Sequence, residues 1–305
     1  KSLPDKIRCY FEIVMYGFYK KVVNYLSFVK FSHTIFALPF ALIGFVLALR
    51  EPEINFEWLT LLKIVGCMFF ARNSAMGFNR YADREIDARN PRTLSREIPS
   101  GKISPRQAII FVITNVILFF LTALSINLLS FILAFPALAV LLGYSYMKRY
   151  TWFSHYVLGI ALAIAPSAAF VAITGYFTPA ILVLSLAVFL WSSHFDILYS
   201  LSDEEIDREL GLHSVPQKFG SAKAMRISLA GHLILFILIP LFGWLISGSW
   251  LFIIGACIFL ALLVYQHAII SPTNLKRLNA AFFTSNGIAS LLFMLFVVAD
   301  LLFLQ

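Results

Sequence analysis

Asn79, Asp83 and Asp87 stand four residues apart in Asn79-Arg80-Tyr81-Ala82-Asp83-Arg84-Glu85-Ile86-Asp87. On a continuous helix this spacing turns one amide and two carboxylates toward a single spot. The pattern returns farther along the chain: Asp203 and Asp207 repeat the four-residue step, with Tyr199 before them and Asp196 two helical turns earlier on roughly the same face. Two acidic faces predict one shared polyvalent cation. The basic residues Arg72, Arg84, Lys148 and Arg149 accompany them, an odd mixture for a closed metal cage. Magnesium prefers one or two protein carboxylates plus waters and phosphate oxygens, whereas arginine and lysine bind phosphate directly. Acid and base together therefore predict a diphosphate held through Mg2+. Charge accumulates on a leaving diphosphate when its carbon–oxygen bond ionises, and prepositioned cations stabilise that charge.

The elements that would carry these residues are membrane helices. Of the 305 residues, 60% are hydrophobic and 13% charged, against about 25% charged in an average soluble domain. Nine apolar runs, near residues 26–49, 58–80, 106–126, 128–147, 155–175, 179–200, 227–247, 250–268 and 280–303, approach the roughly 20 residues that a helix needs to cross a bilayer. Ser104-Pro105-Arg106-Gln107 reads as a capping box with proline at the first helical position, and Thr178-Pro179 as a similar start. Residues 6 to 24 mix charge with Ile, Phe, Val and Met and read as an interfacial amphipathic helix, set apart as residues 1–25 from one bundle domain over 26–305. The first apolar helix is expected to insert and stay, since the front lacks the layout of a cleavable signal peptide.

Charge orients the bundle. With the N-terminus in the cytoplasm, 20 of the 24 Lys and Arg residues fall in cytoplasmic segments, while the alternate loops are acidic (Glu51, Glu53, Glu57) or uncharged. Both acidic motifs then lie on the cytoplasmic side, at the ends of spans two and six. The offset of four helices predicts two similar halves, spans 1–4 and 5–8, with span nine added. The net charge of +8 sits in short loops, where it serves topology and lipid head groups rather than nucleic acid. Cys9, Cys67 and Cys257 are far apart and imply neither a disulfide framework nor a zinc site.

A diphosphate site at the end of an apolar bundle with 31 Phe and 12 Tyr suits a lipid with a diphosphate head, a polyprenyl diphosphate, whose allylic cation aromatic faces could stabilise. Asn79-x3-Asp83-x3-Asp87 followed by Arg92-Thr93 and Pro99-Ser100-Gly101, then Tyr146-Met147-Lys148-Arg149-Tyr150, then Asp196-x2-Tyr199-x3-Asp203-x3-Asp207 with Gly211 and Ser214, resemble the blocks of the UbiA family of intramembrane prenyltransferases. The resemblance runs from about residue 26 over nearly the whole chain, and nine helices are what that family has. It implies a cytoplasm-facing active site with Asn79, Asp83, Asp87, Asp203 and Asp207 around magnesium-diphosphate. It also implies Arg72 and Lys148 on the diphosphate, Arg149 on the carboxylate of an aromatic acceptor, and Asp196 with Tyr199 in support of the second motif. The pattern is similar to 4-hydroxybenzoate polyprenyltransferases. Residues Lys30 to Phe40 and Gly211-Leu-His213-Ser-Val-Pro216 look more like a bacterial menaquinone branch that uses a dihydroxynaphthoate, so both acceptors stay open. A bacterial inner membrane follows from that pathway, and no obligatory protein partner is implied.

Other readings stand beside these. Intramembrane acids and parallel repeats also mark secondary transporters, and haem is another acceptor open to such an enzyme. Lys148 and Arg149 double as inside anchors. Glu85, Glu204, Glu205 and Glu209 fall off the repeated face and read as solvent or salt-bridge residues. The six histidines read as packing or interfacial groups, Lys63 as reaching outward, and Asp300 as reaching the membrane interface.

Overall fold

The computed structural model describes residues 15, 19–20, 22–29, 36–52, 54–271, 275, 277–278 and 280–304. Twelve labelled helices follow in order: α1 (Leu38–Ala48), α2 (Trp58–Ala82), α3 (Arg84–Asp87), α4 (Pro105–Ile126), α5 (Leu128–Tyr150), α6 (Ser154–Thr174), α7 (Pro179–Tyr199), α8 (Glu204–Glu209), α9 (Val215–Phe219), α10 (Ser221–Leu245), α11 (Trp250–Ile269) and α12 (Asn286–Phe303). A 3-10 turn over Ser200–Asp203 joins α7 to α8, and a π turn over Ala280–Ser285 leads into α12. Among the described residues eight helices are long and apolar enough to cross a membrane: α2, α4, α5, α6, α7 with its extension to Glu209, α10, α11 and α12. The protein is an all-helical integral membrane protein. The first of the nine expected spans is seen as a helical stretch over 22–28 and the 11-residue α1, with residues 30–35 outside the described set. The expected interfacial helix, Cys9, and His33 also lie largely or wholly outside it.

Local chemistry sets the ends. Ser104 accepts from Gln107 N–H while the Gln107 side chain accepts from Ser104 N–H, closing the capping box at α4, and Pro105 occupies the first helical position. Thr178 Oγ1 accepts from Ile181 N–H at the start of α7, a one-way cap, with Pro179 at the first helical position. The seventh apolar run begins six residues before its expected start, because Gly220 at φ 78° breaks the chain and Glu204 accepts from Ser221 N–H and Oγ at the new helix end. Glu204 also pairs with Arg208 at 3.0 Å, so its salt bridge is as expected and its capping is an addition.

Asp300 requires a correction. It is fully buried rather than at an interface, and accepts from Ser249 N–H and Oγ and from Phe252 N–H. The unpaired N–H groups at the start of α11 supply the reason, since a carboxylate there is favoured by the helix dipole. Lys63 donates at 2.6 Å to Ser125 O at the end of α4, a cation on a helix C-terminus.

Helix α2 packs on α4, α6 on α7, α7 on α10, α11 on α12, and α1 on α6 and α12. Close approach depends on small residues. A Cβ on Gly44 of α1 would lie 2.2 Å from Pro166 O of α6, and one on Gly159 of α6 would lie 2.0 Å from Ser193 Oγ of α7. The most extensive apolar cluster among the described residues, with Phe40, Phe170, Trp191, Phe242, Phe259 and Phe293, fills the α1, α6, α7, α10, α11, α12 side. On the other side α2, α5, α6 and α7 stand around a large cavity.

Candidate active site

The two acidic motifs are not continuous helices. Each turns at the first aspartate of its pair, Asp83 at φ −92°, ψ 7° and Asp203 at φ −105°, ψ 0°, in the sparsely populated bridge region. Asn79, Asp83 and Asp87 therefore do not share one straight helical face. Asn79 Nδ2 donates to Asp83 Oδ2 at 3.0 Å, while Asp87 beyond the turn pairs with Arg96 at 2.6 Å.

The ends of α2, α5 and α7 meet at one end of the bundle. Arg149 of α5 donates to Ala82 O at 2.6 Å and to Asp83 Oδ1 at 3.2 Å. Lys148 Nζ stands 3.8 Å from Asp207 Oδ2. The segment between α3 and α4 closes the gap between the motifs: Arg92 donates to Asp203 Oδ2 at 2.8 Å and to Tyr199 Oη at 3.1 Å. All ten predicted site residues, Arg72, Asn79, Asp83, Asp87, Lys148, Arg149, Asp196, Tyr199, Asp203 and Asp207, line one cavity of about 1440 Å³. Its polar mouth continues into an apolar interior reaching Ile126, Leu133 and Phe177 near the opposite helix ends.

Burial raises the Asp83 carboxyl above its ordinary value of 3.8, opposed by the hydrogen bond from Arg149. Asp87 Oδ2, Asp203 Oδ1 and Asp207 Oδ2 are buried and have no hydrogen-bond partner among the described residues. Hard carboxylate oxygens left without donors are suited to a divalent cation. No three His, Cys, Asp or Glu side chains among the described residues form a metal-holding group. The protein thus offers part of a coordination shell, and ligand oxygens would complete it.

Sequence reasoning missed several residues here. Arg96 and the carboxylate-binding role of Arg92 leave no pattern in the sequence, although Arg92-Thr93 is one of the family-like blocks; only the fold of the 88–104 segment brings both onto carboxylates. His155 is buried and bonded to Asp196 at 2.6 Å, beyond a mere packing role. The histidines of α10 and α11 do pack together, His232 Nδ1 lying 2.8 Å from His267 Nε2.

A model of the UbiA prenyltransferase family matches residues 37–294. The chain belongs to that family. Among UbiA relatives, the 4-hydroxybenzoate octaprenyltransferase of Salmonella paratyphi B is 30% identical over 237 residues, covering 78% of this chain and 81% of that protein. The apo structure of a UbiA homolog from Aeropyrum pernix K1 is 28% identical, covers 88% of this chain and 98% of its own, and superposes with a TM-score of 0.79. A UbiA homolog from Archaeoglobus fulgidus, solved bound to DMAPP and Mg2+, shares the fold at 21% identity with a TM-score of 0.74, over 91% of this chain and 99% of its own. Both acidic motifs lie within the matched residues 37–294.

Proposed function

We propose that this UbiA protein transfers a polyprenyl group from its diphosphate to a ring carbon of an aromatic acid, 4-hydroxybenzoate or a dihydroxynaphthoate, in ubiquinone or menaquinone synthesis. The observation that carries the reading is the convergence of both acidic motifs with Arg92, Arg96, Lys148 and Arg149 at the mouth of an apolar cavity. The site faces the cytoplasm of a bacterial inner membrane in this reading, within nine crossings whose first is residues 26–49, and with spans 1–4 and 5–8 as related halves.

Asn79, Asp83, Asp87, Asp203 and Asp207 would hold Mg2+, which when bound neutralises the diphosphate and favours departure of that group. Arg72 and Lys148 bind diphosphate oxygens, and Arg92 and Arg96 leave their aspartate partners to share that charge. Arg149 turns toward the carboxylate of the acceptor. Phe, Tyr and small side chains of α5, α6 and α7 keep water from the allylic cation, and the electron-rich ring attacks it. The acids lie where helices turn at one bundle end, beside cations, rather than at midplane helix breaks, which disfavours the transporter reading.

The test is diphosphate release by purified protein given a polyprenyl diphosphate, Mg2+ and either 4-hydroxybenzoate or 1,4-dihydroxy-6-naphthoate, with EDTA as control. Magnesium-dependent prenylated product with one acceptor is the expected result and selects the pathway. Absence of product with both, in folded protein, rejects the assignment.

A further inference from the structure

The reaction above ends with a proton leaving the acceptor ring, and one carboxylate of the cavity is built to receive it. Asp83, Asp87, Asp203 and Asp207 each have a cationic side chain within 4 Å, namely Arg149, Arg96, Arg92 and Lys148. A carboxylate held by a cation is a weakened base. Glu97, also on the cavity wall, is bonded to Ser27 at 2.5 Å and sits in the segment over the mouth. Asp196 differs, for among the described residues the side chain bonded to it is an imidazole rather than a lysine or arginine.

The state of that imidazole follows from its second contact. His155 Nε2 accepts the backbone N–H of Val215 at 3.3 Å, and a backbone N–H can only donate. Nε2 therefore carries the lone pair, the proton is on Nδ1, and Nδ1–H donates to Asp196 Oδ2 at 2.6 Å. His155 is wholly buried, pinned between α7 and the start of α9, so the orientation of Asp196 is fixed while 14% of its side chain stays open onto the cavity.

The neighbouring wall suits a planar ring. Phe195 precedes Asp196, Tyr199 follows one turn later, and Phe282 stacks on Tyr199 with centroids 4.1 Å apart and meets Phe195 at 5.1 Å. Phe36 packs on both Phe195 and Phe282, and all four rings line the cavity.

We propose that Asp196 is the general base that takes the ring proton of the aromatic acceptor, and that His155 is the positioning residue that holds it in place. The inference rests on the prenyl-transfer reading. The allylic carbon–oxygen bond breaks first, its electron pair leaving with the diphosphate, and the acceptor ring carbon then forms its bond to the allylic cation. The pair of the ring C–H bond then restores aromaticity as the proton passes to Oδ1 of Asp196, the oxygen that His155 does not hold. The acid so formed returns its proton to water at the cavity mouth.

The experiment uses full-length protein, a polyprenyl diphosphate, Mg2+, and whichever of the two acceptors is turned over, with hydrogen or deuterium at the ring position that is substituted. Asp196→Asn is expected to slow transfer about 10²–10⁴-fold, the usual worth of general base catalysis, with the KM for polyprenyl diphosphate unchanged. A primary isotope effect, absent in the wild type, should appear as proton removal becomes rate-limiting. His155→Asn, which keeps a donor near the Nδ1 position, should retain more kcat than His155→Phe at equal KM, and carries the test if Asp196→Asn does not fold. Undiminished transfer in Asp196→Asn, a slower rate with no isotope effect, or equal kcat in the two His155 variants overturns the assignment of the base. No product from the wild type with either acceptor overturns the prenyl-transfer reading itself, and this inference falls with it.

Discussion

Asp83 and Asp203 occupy equivalent turns, and each is bonded to an arginine that arrives from elsewhere in the chain: Arg149 to Asp83 and Arg92 to Asp203. Replacing either aspartate with alanine removes carboxylate oxygens from the centre of the site. Turnover should fall by at least about 10²–10³-fold, as when one charge-stabilising group is deleted from a catalytic site, while thermal unfolding in detergent still shows a cooperative transition. Arg92→Ala should instead raise the KM for polyprenyl diphosphate roughly tenfold, the equivalent of one charge-assisted hydrogen bond of about 1.5 kcal/mol. Steady-state kinetics separates the two classes. Asp83 also sets a pH dependence. Its carboxyl is raised by burial, so its contribution to stability is fully present below the ordinary value of 3.8 and is lost as pH rises through the raised value. A divalent cation favours the ionised form, so the stabilisation by Mg2+ over EDTA should be larger at pH 7 than at pH 5. Thermal shifts at the two pH values measure this, and an equal or reversed difference would remove Asp83 from the cation site.

At the scale of elements, the site depends on where helices stop and how closely they pass. The capping box at Ser104 fixes the start of α4 directly after the segment that delivers Arg92 and Arg96. Ser104→Ala should lower stability by about 1 kcal/mol, the usual cost of losing an N-cap, seen as a reduced unfolding midpoint. Gly44→Ala is harsher in kind, because the new methyl meets the backbone oxygen of Pro166 rather than a side chain that can rotate away. Overpacking of that sort costs typically about 1–3 kcal/mol, and the resulting displacement of α6 would carry His155 with it. Transfer activity should drop along with the midpoint. The capping box was legible beforehand because it is a four-residue pattern with local hydrogen bonds. The cap that Asp300 places on α11 was not, since Ser249 and Asp300 are 51 residues apart.

For the whole molecule, one end of the bundle gathers the ends of α2, α5 and α7, while the other carries contacts such as Tyr176 Oη to Glu51 at 2.6 Å and Arg50 to Leu301 O at 3.0 Å. In the proposed topology the first end, which carries most of the Lys and Arg, faces the cytoplasm. Single cysteines introduced at Lys102 and Arg208 in a background without the three native cysteines should react with an impermeant maleimide only from the cytoplasmic side. Cysteines at Tyr176 and Ser247 should react only from the other side. Reactivity of all four from one side would reverse or break the topology.

The sequence determined by itself that this is a helical membrane protein, where both ends of six of the eight long apolar helices fall to within a few residues, and that two pairs of aspartates recur at a four-residue step. Those properties reside in local composition, in 3.6-residue periodicity and in short spaced blocks, and the cost of exposing polar groups to lipid enforces them. Tertiary structure decided the rest. Turns at Asp83 and Asp203 replaced two continuous acidic faces, the 88–104 segment brought Arg92 and Arg96 onto carboxylates that stand far away or beyond a turn, and His155 came to rest against Asp196, 41 residues distant. Such contacts join segments with no shared pattern, and only the packing of α6 against α7 and the path of the connecting loop bring them together.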